Sequence, residues 1–85
     1  MATAEVAADV AELATETARV GNAHLTGDSI TAAMLGEAAC RAAARLVEIN
    51  LAGEDDPRLA RASDAVRRAG AAREEALRLG EEVVR

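Results

Sequence analysis

The chain has 85 residues and a formal net charge of −5, and it contains no aromatic residue, no lysine and no glutamine, so its size allows one domain at most. Its 15 carboxylates outnumber its 10 arginines, which argues against nucleic-acid binding because phosphates would be repelled and bases would find no aromatic ring on which to stack. No apolar run is long enough to span a membrane, and the acidic N-terminus lacks the basic start of an export signal, so we expect a cytoplasmic protein with neither a membrane nor a nucleic-acid partner.

The first predicted helix covers residues 4–20. Large apolar side chains and one threonine recur there at spacings of three and four, the pattern of one helix face: Val6, Val10, Leu13, Thr17 and Val20. A stripe of alanines lies beside them, and acidic residues occupy the opposite side. Gly21 follows as a residue that commonly ends a helix, and Asn22 continues into a short polar loop.

The second predicted helix covers residues 29–51 and follows Asp28, whose carboxylate can cap the first free amides. Its charges form one narrow stripe: Glu37, Arg41, Arg45 and Glu48. A helix that is polar on so little of its circumference is typically buried on most sides. We therefore expect this Ala-rich helix to be the central element of an assembly larger than one chain.

The third predicted helix covers residues 57–84. Asp56 as N-cap and Pro57 at the first helical position form a strong helix-start signal. A seam of apolar and small residues follows: Leu59, Ser63, Val66, Gly70, Leu77 and Val84. The three segments predict an all-α fold, a three-helix up-down bundle in a single helical domain over residues 1–85.

The large apolar side chains are few, because only 19 residues are Val, Leu, Ile or Met. Each gains about 1.5–3 kcal/mol on full burial, against an ordering cost of roughly 1.5 kcal/mol per residue. Cys40 is the only cysteine and His24 the only histidine, which excludes an internal disulfide and disfavours a metal site. We therefore expect oligomerisation into a larger helical bundle, as a homodimer or as a hetero-oligomer with a second helical chain.

Three short segments carry a resemblance to a known family. An Ala/Glu helix runs into Gly21-Asn22, a short loop reaches Asp28 ahead of an Ala-rich helix, and that helix ends in Ile49-Asn50-Leu51. This order resembles the distal, C-terminal half of the cyclodeaminase/cyclohydrolase family, the helical domain of formiminotransferase-cyclodeaminase and of methenyltetrahydrofolate cyclohydrolases. A long acidic Arg/Glu helix follows in that family, as residues 57–85 follow here.

The chain also departs from the family pattern. Gly27, Leu46 and Glu48 stand where the family usually has Ser, Asn and Arg. The Pro-Gly-Gly-Gly-Ser segment that opens the family's first half has no counterpart in this sequence. The resemblance then implies either that a separate polypeptide supplies the first half or that the protein has lost it.

Four polar residues are candidate site residues, and each has a structural alternative. His24 is the one side chain that ordinarily titrates near neutral pH, so it is a candidate catalytic acid or base, or an exposed loop residue. Asp28 is an N-cap, or, as the resemblance implies, a catalytic carboxylate facing a cleft. Asn22 can bind a ligand or occupy a turn. Asn50 can reach into an interface and bind a ligand, or cap the local backbone.

Two functions follow from the resemblance. The first is an accessory or incomplete-site subunit that acts through obligate association. The second is a catalytic subunit of a split methenyltetrahydrofolate cyclohydrolase or formiminotetrahydrofolate cyclodeaminase, acting on a C–N bond of a tetrahydrofolate derivative without a metal. The lack of lysine and aromatic residues counts against the second function, because an acidic surface of this kind matches a polyglutamylated folate poorly.

Overall fold

The computed structural model describes the backbone of residues 1–20 and 23–84 and the side chains of residues 1–19 and 26–82. Within this part of the chain, α1 spans Ala2–Val20, α2 spans Ala23–Asn50 and α3 spans Pro57–Val84. Each helix packs against the other two, in a rod of 48 × 17 × 15 Å. The predicted all-α three-helix bundle is confirmed.

The interior of the bundle consists mainly of alanine. The buried positions of α1 and α3 recur at alternating spacings of three and four residues: Ala4, Ala8, Ala11, Thr15 and Ala18 on α1, and Ala62, Ala65, Ala69, Ala72 and Ala76 on α3. On α2 the interior includes Ala33, Cys40 and Ala44, and Cys40 is the largest fully buried side chain. Side chains this small allow helix axes to approach to about 8 Å, the lower end of the usual range.

The predicted seam of α3 was therefore wrong. Ser63 is exposed, and a Cβ added at Gly70 would meet no atom within 4 Å. The buried stripe lies one residue earlier along the helix, on alanines such as Ala62 and Ala69. The physical reason is that a stripe of methyl groups lets three helices pack more densely than a stripe of mixed sizes.

Ion pairs set the register between α1 and α3. Arg68 also pairs with Asp9, and three of the four pairs form a regular series: Glu5 with Arg61, Glu12 with Arg68, and Arg19 with Glu75. Successive pairs are seven residues apart on both helices, so α1 and α3 run parallel and their partners recur once per heptad. Thr15 adds a buried contact on the same side, with its Oγ1 donating to the Ala72 carbonyl at 2.8 Å.

The second helix begins six residues earlier than predicted, so the assignment of Asp28 as its N-cap was wrong. Asp28 lies inside α2, and the Thr31 Oγ1 donates to the Gly27 carbonyl at 3.1 Å, one helical turn earlier. Thr26 is buried. Burial of Thr26 favours a helix that continues through Gly27 and Asp28, because packing overrides a local capping preference.

Two glycines bring α2 close to its neighbours. A Cβ at Gly36 would lie 3.2 Å from the Ala7 carbonyl oxygen and 3.2 Å from the Ala11 nitrogen, so the backbones of α1 and α2 nearly touch there. A Cβ at Gly80 would lie 2.9 Å from the Cδ1 of Ile30, which places that part of α3 against the start of α2. Among the described glycines, Gly36 thus marks the closest approach to the backbone of a neighbouring helix.

Asp56 caps α3, as the sequence predicts. Its Oδ1 accepts a hydrogen bond from the Arg58 backbone nitrogen at 2.9 Å, and the Arg58 guanidinium lies 2.8 Å from its Oδ2. Hydrogen bonds from the Arg58 side chain and backbone lower the pKa of the Asp56 carboxyl to about 2. The preceding loop contains Gly53 at a φ of 82°, a backbone conformation that favours glycine.

Substitutions at two glycines should have opposite effects on stability. We expect Gly36→Val to lower the free energy of unfolding by about 1–3 kcal/mol, because the added branches must push α1 and α2 apart. Gly70→Ala should raise it by about 0.5–1 kcal/mol, because the added methyl meets open space and alanine loses less backbone entropy in a helix. Urea unfolding followed by circular dichroism measures both, and effects of the same sign would contradict the close approach at Gly36.

The charge of Asp56 should make stability depend on pH in the acid range. Its folded-state pKa of about 2 lies below the ordinary value of 3.8, so its contribution is complete above about pH 4 and is lost as the pH falls through the folded-state pKa. Asp56→Asn keeps a capping oxygen but loses the charge. The wild type should therefore exceed this variant in stability near neutral pH and match it near pH 2, whereas Asp55→Asn, at an exposed neighbour, should change little at either pH.

Candidate functional site

An open groove runs between α1 and α2. Its wider part encloses about 660 Å³ and is lined almost entirely by apolar atoms, including those of Val6, Val10, Leu35 and Ala39. A narrower part of about 310 Å³ adjoins it. The two parts share Val10 and Ala32 as lining residues, so they form one continuous depression along the two helices.

The walls of the groove continue onto the surface as a set of exposed apolar side chains, which we call the α1–α2 face. Its members are Val6, Val10 and Leu13 on α1, and Leu35, Ala39, Ala42, Leu46 and Ile49 on α2. Leu13 and Leu35 are 69% and 67% exposed. The sequence pattern placed Val6, Val10 and Leu13 on one helix face correctly, but that face points outward, because the alanine stripe beside it occupies the interior. The side chain of Val20 lies outside those described.

The narrower part of the groove ends at polar side chains. Asp28, Ser29 and Thr17 line it together with apolar residues, and the Asp28 side chain is exposed. A carboxylate at the end of an apolar channel can accept hydrogen bonds from an amide or a ring nitrogen of a ligand. Among the predicted site residues, Asp28 is therefore the one that the described structure places in a cavity.

Asn50 lies far from this position. It is the last residue of α2 and its side chain is exposed. The 22 residues between Asp28 and Asn50 correspond to about 33 Å along a helix. The two candidates therefore cannot contact one small ligand within a single chain.

The other two candidates lie partly or wholly outside the described residues. His24 belongs to the first turn of α2 rather than to a loop, so its predicted loop position was wrong, and its side chain is not among those described. Asn22 lies outside the described residues altogether. Their roles in acid–base chemistry and in ligand binding stay predictions.

A match to a protein family covers the part of the chain that contains this groove. Residues 1–69 match the family model described as formiminotransferase-cyclodeaminase. The chain belongs to this family. The match covers α1, α2 and about half of α3, and thus all four candidate residues. Comparison with curated proteins and with solved structures gives no significant match.

For a member of the formiminotransferase-cyclodeaminase family, the described groove offers little chemistry of its own. Its polar lining consists of one carboxylate and the hydroxyl groups of Thr3, Thr17 and Ser29. Among the described residues no group of three His, Cys, Asp or Glu side chains could hold a metal ion, and no described helix is long and apolar enough to cross a membrane. The groove is suited to apolar side chains more than to proton transfer.

Cys40 belongs to the core rather than to the groove. Its side chain is fully buried, and burial raises the pKa of the thiol, as does the negative charge of the nearby Glu37. Glu37 is itself buried, with its Oε1 2.7 Å from the Arg41 Nε and its Oε2 4.0 Å from the Arg73 Nε. A neutral, enclosed thiol is a packing element.

Sequence reasoning missed the outward orientation of the α2 members of the face. The sequence predicts an α2 that is buried on most sides, whereas Leu35, Leu46 and Ile49 are 61–67% exposed. A usable signal was present in their regular spacing, because positions 35, 39, 42, 46 and 49 repeat at four and three residues. That repeat is distinct from the buried stripe of the same helix and marks a second contact surface.

The buried state of Cys40 predicts slow reaction with thiol reagents. We expect the native chain to be labelled only as fast as it opens, because the thiol is fully buried and its raised pKa disfavours the thiolate. Labelling should reach the rate of a free peptide thiol in urea. As a control, Ala71→Cys in a Cys40→Ala background places a thiol on an exposed position of α3 and should react at once. Equal native rates would contradict the enclosed position.

Proposed function

We propose that this chain is an accessory or incomplete-site helical subunit of the formiminotransferase-cyclodeaminase family and that it acts through association with another chain. One observation carries the proposal: the usual distribution of side chains is inverted. The described interior holds mainly alanine, while six large aliphatic residues and Met34 are exposed. Folded proteins usually place Val, Leu and Ile inside, so the exposed set indicates a surface that a partner covers.

The free energy available from burying these side chains also favours association. A large aliphatic side chain contributes about 1.5–3 kcal/mol when it is fully buried, whereas the methyl group of alanine offers far less apolar area. The seven exposed large apolar side chains therefore leave much of their possible contribution to stability unrealised in a single chain. Contiguous apolar surface of this kind is rare on isolated proteins and typical of interaction sites.

The division of the candidate site also supports an incomplete-site subunit. Asp28 lines the end of the groove, while Asn50 lies at the opposite end of α2. A ligand that used both residues would have to take them from different chains. The described groove lining contains no arginine and no histidine, so a partner would also have to supply the groups that bind the acidic tail of a folate.

A second candidate function is catalysis within a split enzyme, and the position of Asp28 favours it. The carboxylate is exposed at the end of a cavity within the region that matches the family. There it could orient a tetrahydrofolate derivative or accept a proton during addition of water to, or loss of ammonia from, its one-carbon unit. Catalysis at Asp28 would require a second chain that completes the wall of the cavity.

A solution experiment on the full chain tests the proposal. We expect purified protein to sediment as an assembly rather than at its monomer mass of 8.8 kDa. We further expect no loss of the absorbance of added methenyltetrahydrofolate above the buffer rate. A folded monomer that turns over this substrate would overturn both parts of the proposal.

Variants at two carboxylates separate the accessory and catalytic functions. Asp28→Asn removes the groove carboxylate, and Asp55→Asn serves as the matched control at an exposed loop position. If turnover appears, alone or with an added family chain, and Asp28→Asn abolishes it while Asp55→Asn does not, the catalytic alternative is correct. Turnover that requires the added family chain and that both variants retain would place the chemistry on that chain and would support the accessory role.

A further inference from the structure

The groove between α1 and α2 has a floor of small residues between walls of large ones. Its floor includes Ala7 and Ala14 on α1 and Ala32 and Gly36 on α2, all of them buried or half-buried. Its walls are large exposed members of the α1–α2 face. The floor positions are seven residues apart on α1 and four apart on α2, spacings that match the ridge of side chains on another helix.

The length of the groove also suits a helix. Its lining extends from Thr3 to Thr17 on α1, which corresponds to about 21 Å along that helix, or about four turns. Small-molecule sites usually enclose most of the surface of their ligand, whereas the walls of this groove are largely exposed. An occupant as broad as a helix is needed to cover both walls at once.

One carboxylate in the groove has no counter-charge. Asp28 lines the narrower part, and its exposed side chain forms no ion pair with any side chain that the structure describes. A helix lying along the groove would remove water from this carboxylate, and a carboxylate that loses water without gaining a donor is destabilising. A matching occupant therefore brings a cationic group to this end of the groove.

The described arginines of the chain itself are already engaged. Each arginine side chain that the structure describes lies within 4.0 Å of a carboxylate oxygen of the same chain, and the sequence contains no lysine. A second copy would have to break one of these ion pairs to place a guanidinium beside Asp28. A chain of different composition, with a basic residue free to bind, is the better match.

We propose that the groove binds an amphipathic helix of a different chain, with a row of large apolar side chains on the groove floor and a lysine or arginine beside Asp28. The inference rests on the proposed function, since it states the chemistry of the partner in that association. An apolar helix ridge in a groove is a recurrent mode of recognition. In the purified chain, copies can cover the apolar walls for one another, but the basic helix should displace them because it also satisfies Asp28.

Two synthetic peptides test the chemistry of the partner. Each has about 15 residues, enough to span the groove as a helix, with leucines and one tryptophan at spacings of four, three and four. One peptide carries lysine beside this row and the other carries glutamate. The chain has no aromatic residue, so tryptophan fluorescence reports the peptide alone. We expect saturable binding of the lysine peptide and binding of the glutamate peptide that is at least about tenfold weaker. Equal affinities would overturn the inference.

Matched variants locate the site of the lysine peptide. Asp28→Asn and Asp55→Asn remove the same charge, and of the two only Asp28 lines the groove. We expect Asp28→Asn to weaken binding by about three- to tenfold, because a charged hydrogen-bond acceptor is lost, and Asp55→Asn to leave it unchanged. Equal effects of these two variants would show attraction by net charge alone and would overturn the assigned site.

A second pair of variants tests the apolar part of the groove. Leu35→Asn should weaken binding of the lysine peptide by at least about tenfold, because it replaces an apolar wall with an amide. Helical content should be kept, since Leu35 is exposed in the single chain. Ala71→Asn makes the matched change at an exposed position of α3 and should have no effect. Undiminished binding to a folded Leu35→Asn variant would also overturn the site.

Sedimentation separates failure of this inference from failure of the proposed function. The lysine peptide should convert an assembly of the purified chain into a complex of one 8.8 kDa chain with one peptide. An assembly of copies that the peptide fails to dissociate would overturn this inference and identify a second copy as the occupant, while the proposed association would stand. A monomer that turns over methenyltetrahydrofolate would overturn the proposed function itself.

Discussion

The close approach of three helices along alanine stripes is the constraint on which the rest of this structure depends. Alanine loses no side-chain entropy on burial and has the highest helix propensity, so a chain with little hydrophobic mass can form long helices that lie close together. At Gly36 the backbones of α1 and α2 are near enough that a single added carbon would be crowded. The heptad ion pairs between α1 and α3 then fix how far each helix slides along its neighbour.

This interior determines where the large side chains go. Each helix contacts each neighbouring helix along one stripe of residues. The stripes that face the interior consist mainly of alanine, with threonine and cysteine. Val6, Val10 and Leu13 on α1, and Leu35 on α2, lie beside these stripes and line the groove. The same alanines that hold the chain together thus generate the apolar surface by which we propose it associates.

The sequence predicted the positions of the helices along the chain better than it predicted which face of each helix is buried. Asp56 and Pro57 identified the start of α3 correctly, because the hydrogen bond that caps this helix is made by Asp56 itself and depends on no distant residue. The start of α2 was misplaced because Asp28 resembles a cap, whereas tertiary burial of Thr26 continues the helix through it. The core was misassigned for a similar reason: Val6, Val10 and Leu13 are the more hydrophobic stripe, and hydrophobicity alone does not reveal that three helices can pack more closely on Ala4, Ala8 and Ala11.

The candidate site shows how association and chemistry are linked in this fold. Family membership rests on residues 1–69, a region whose polar candidates lie at both ends of α2. A partner that covered the α1–α2 face, as we propose, would enclose the groove around Val10 and Ala32, whose narrower part is lined by Asp28. The apolar part of the groove is then an element of assembly, and any ligand site that survives must lie at the Asp28 end, where the described polar groups are.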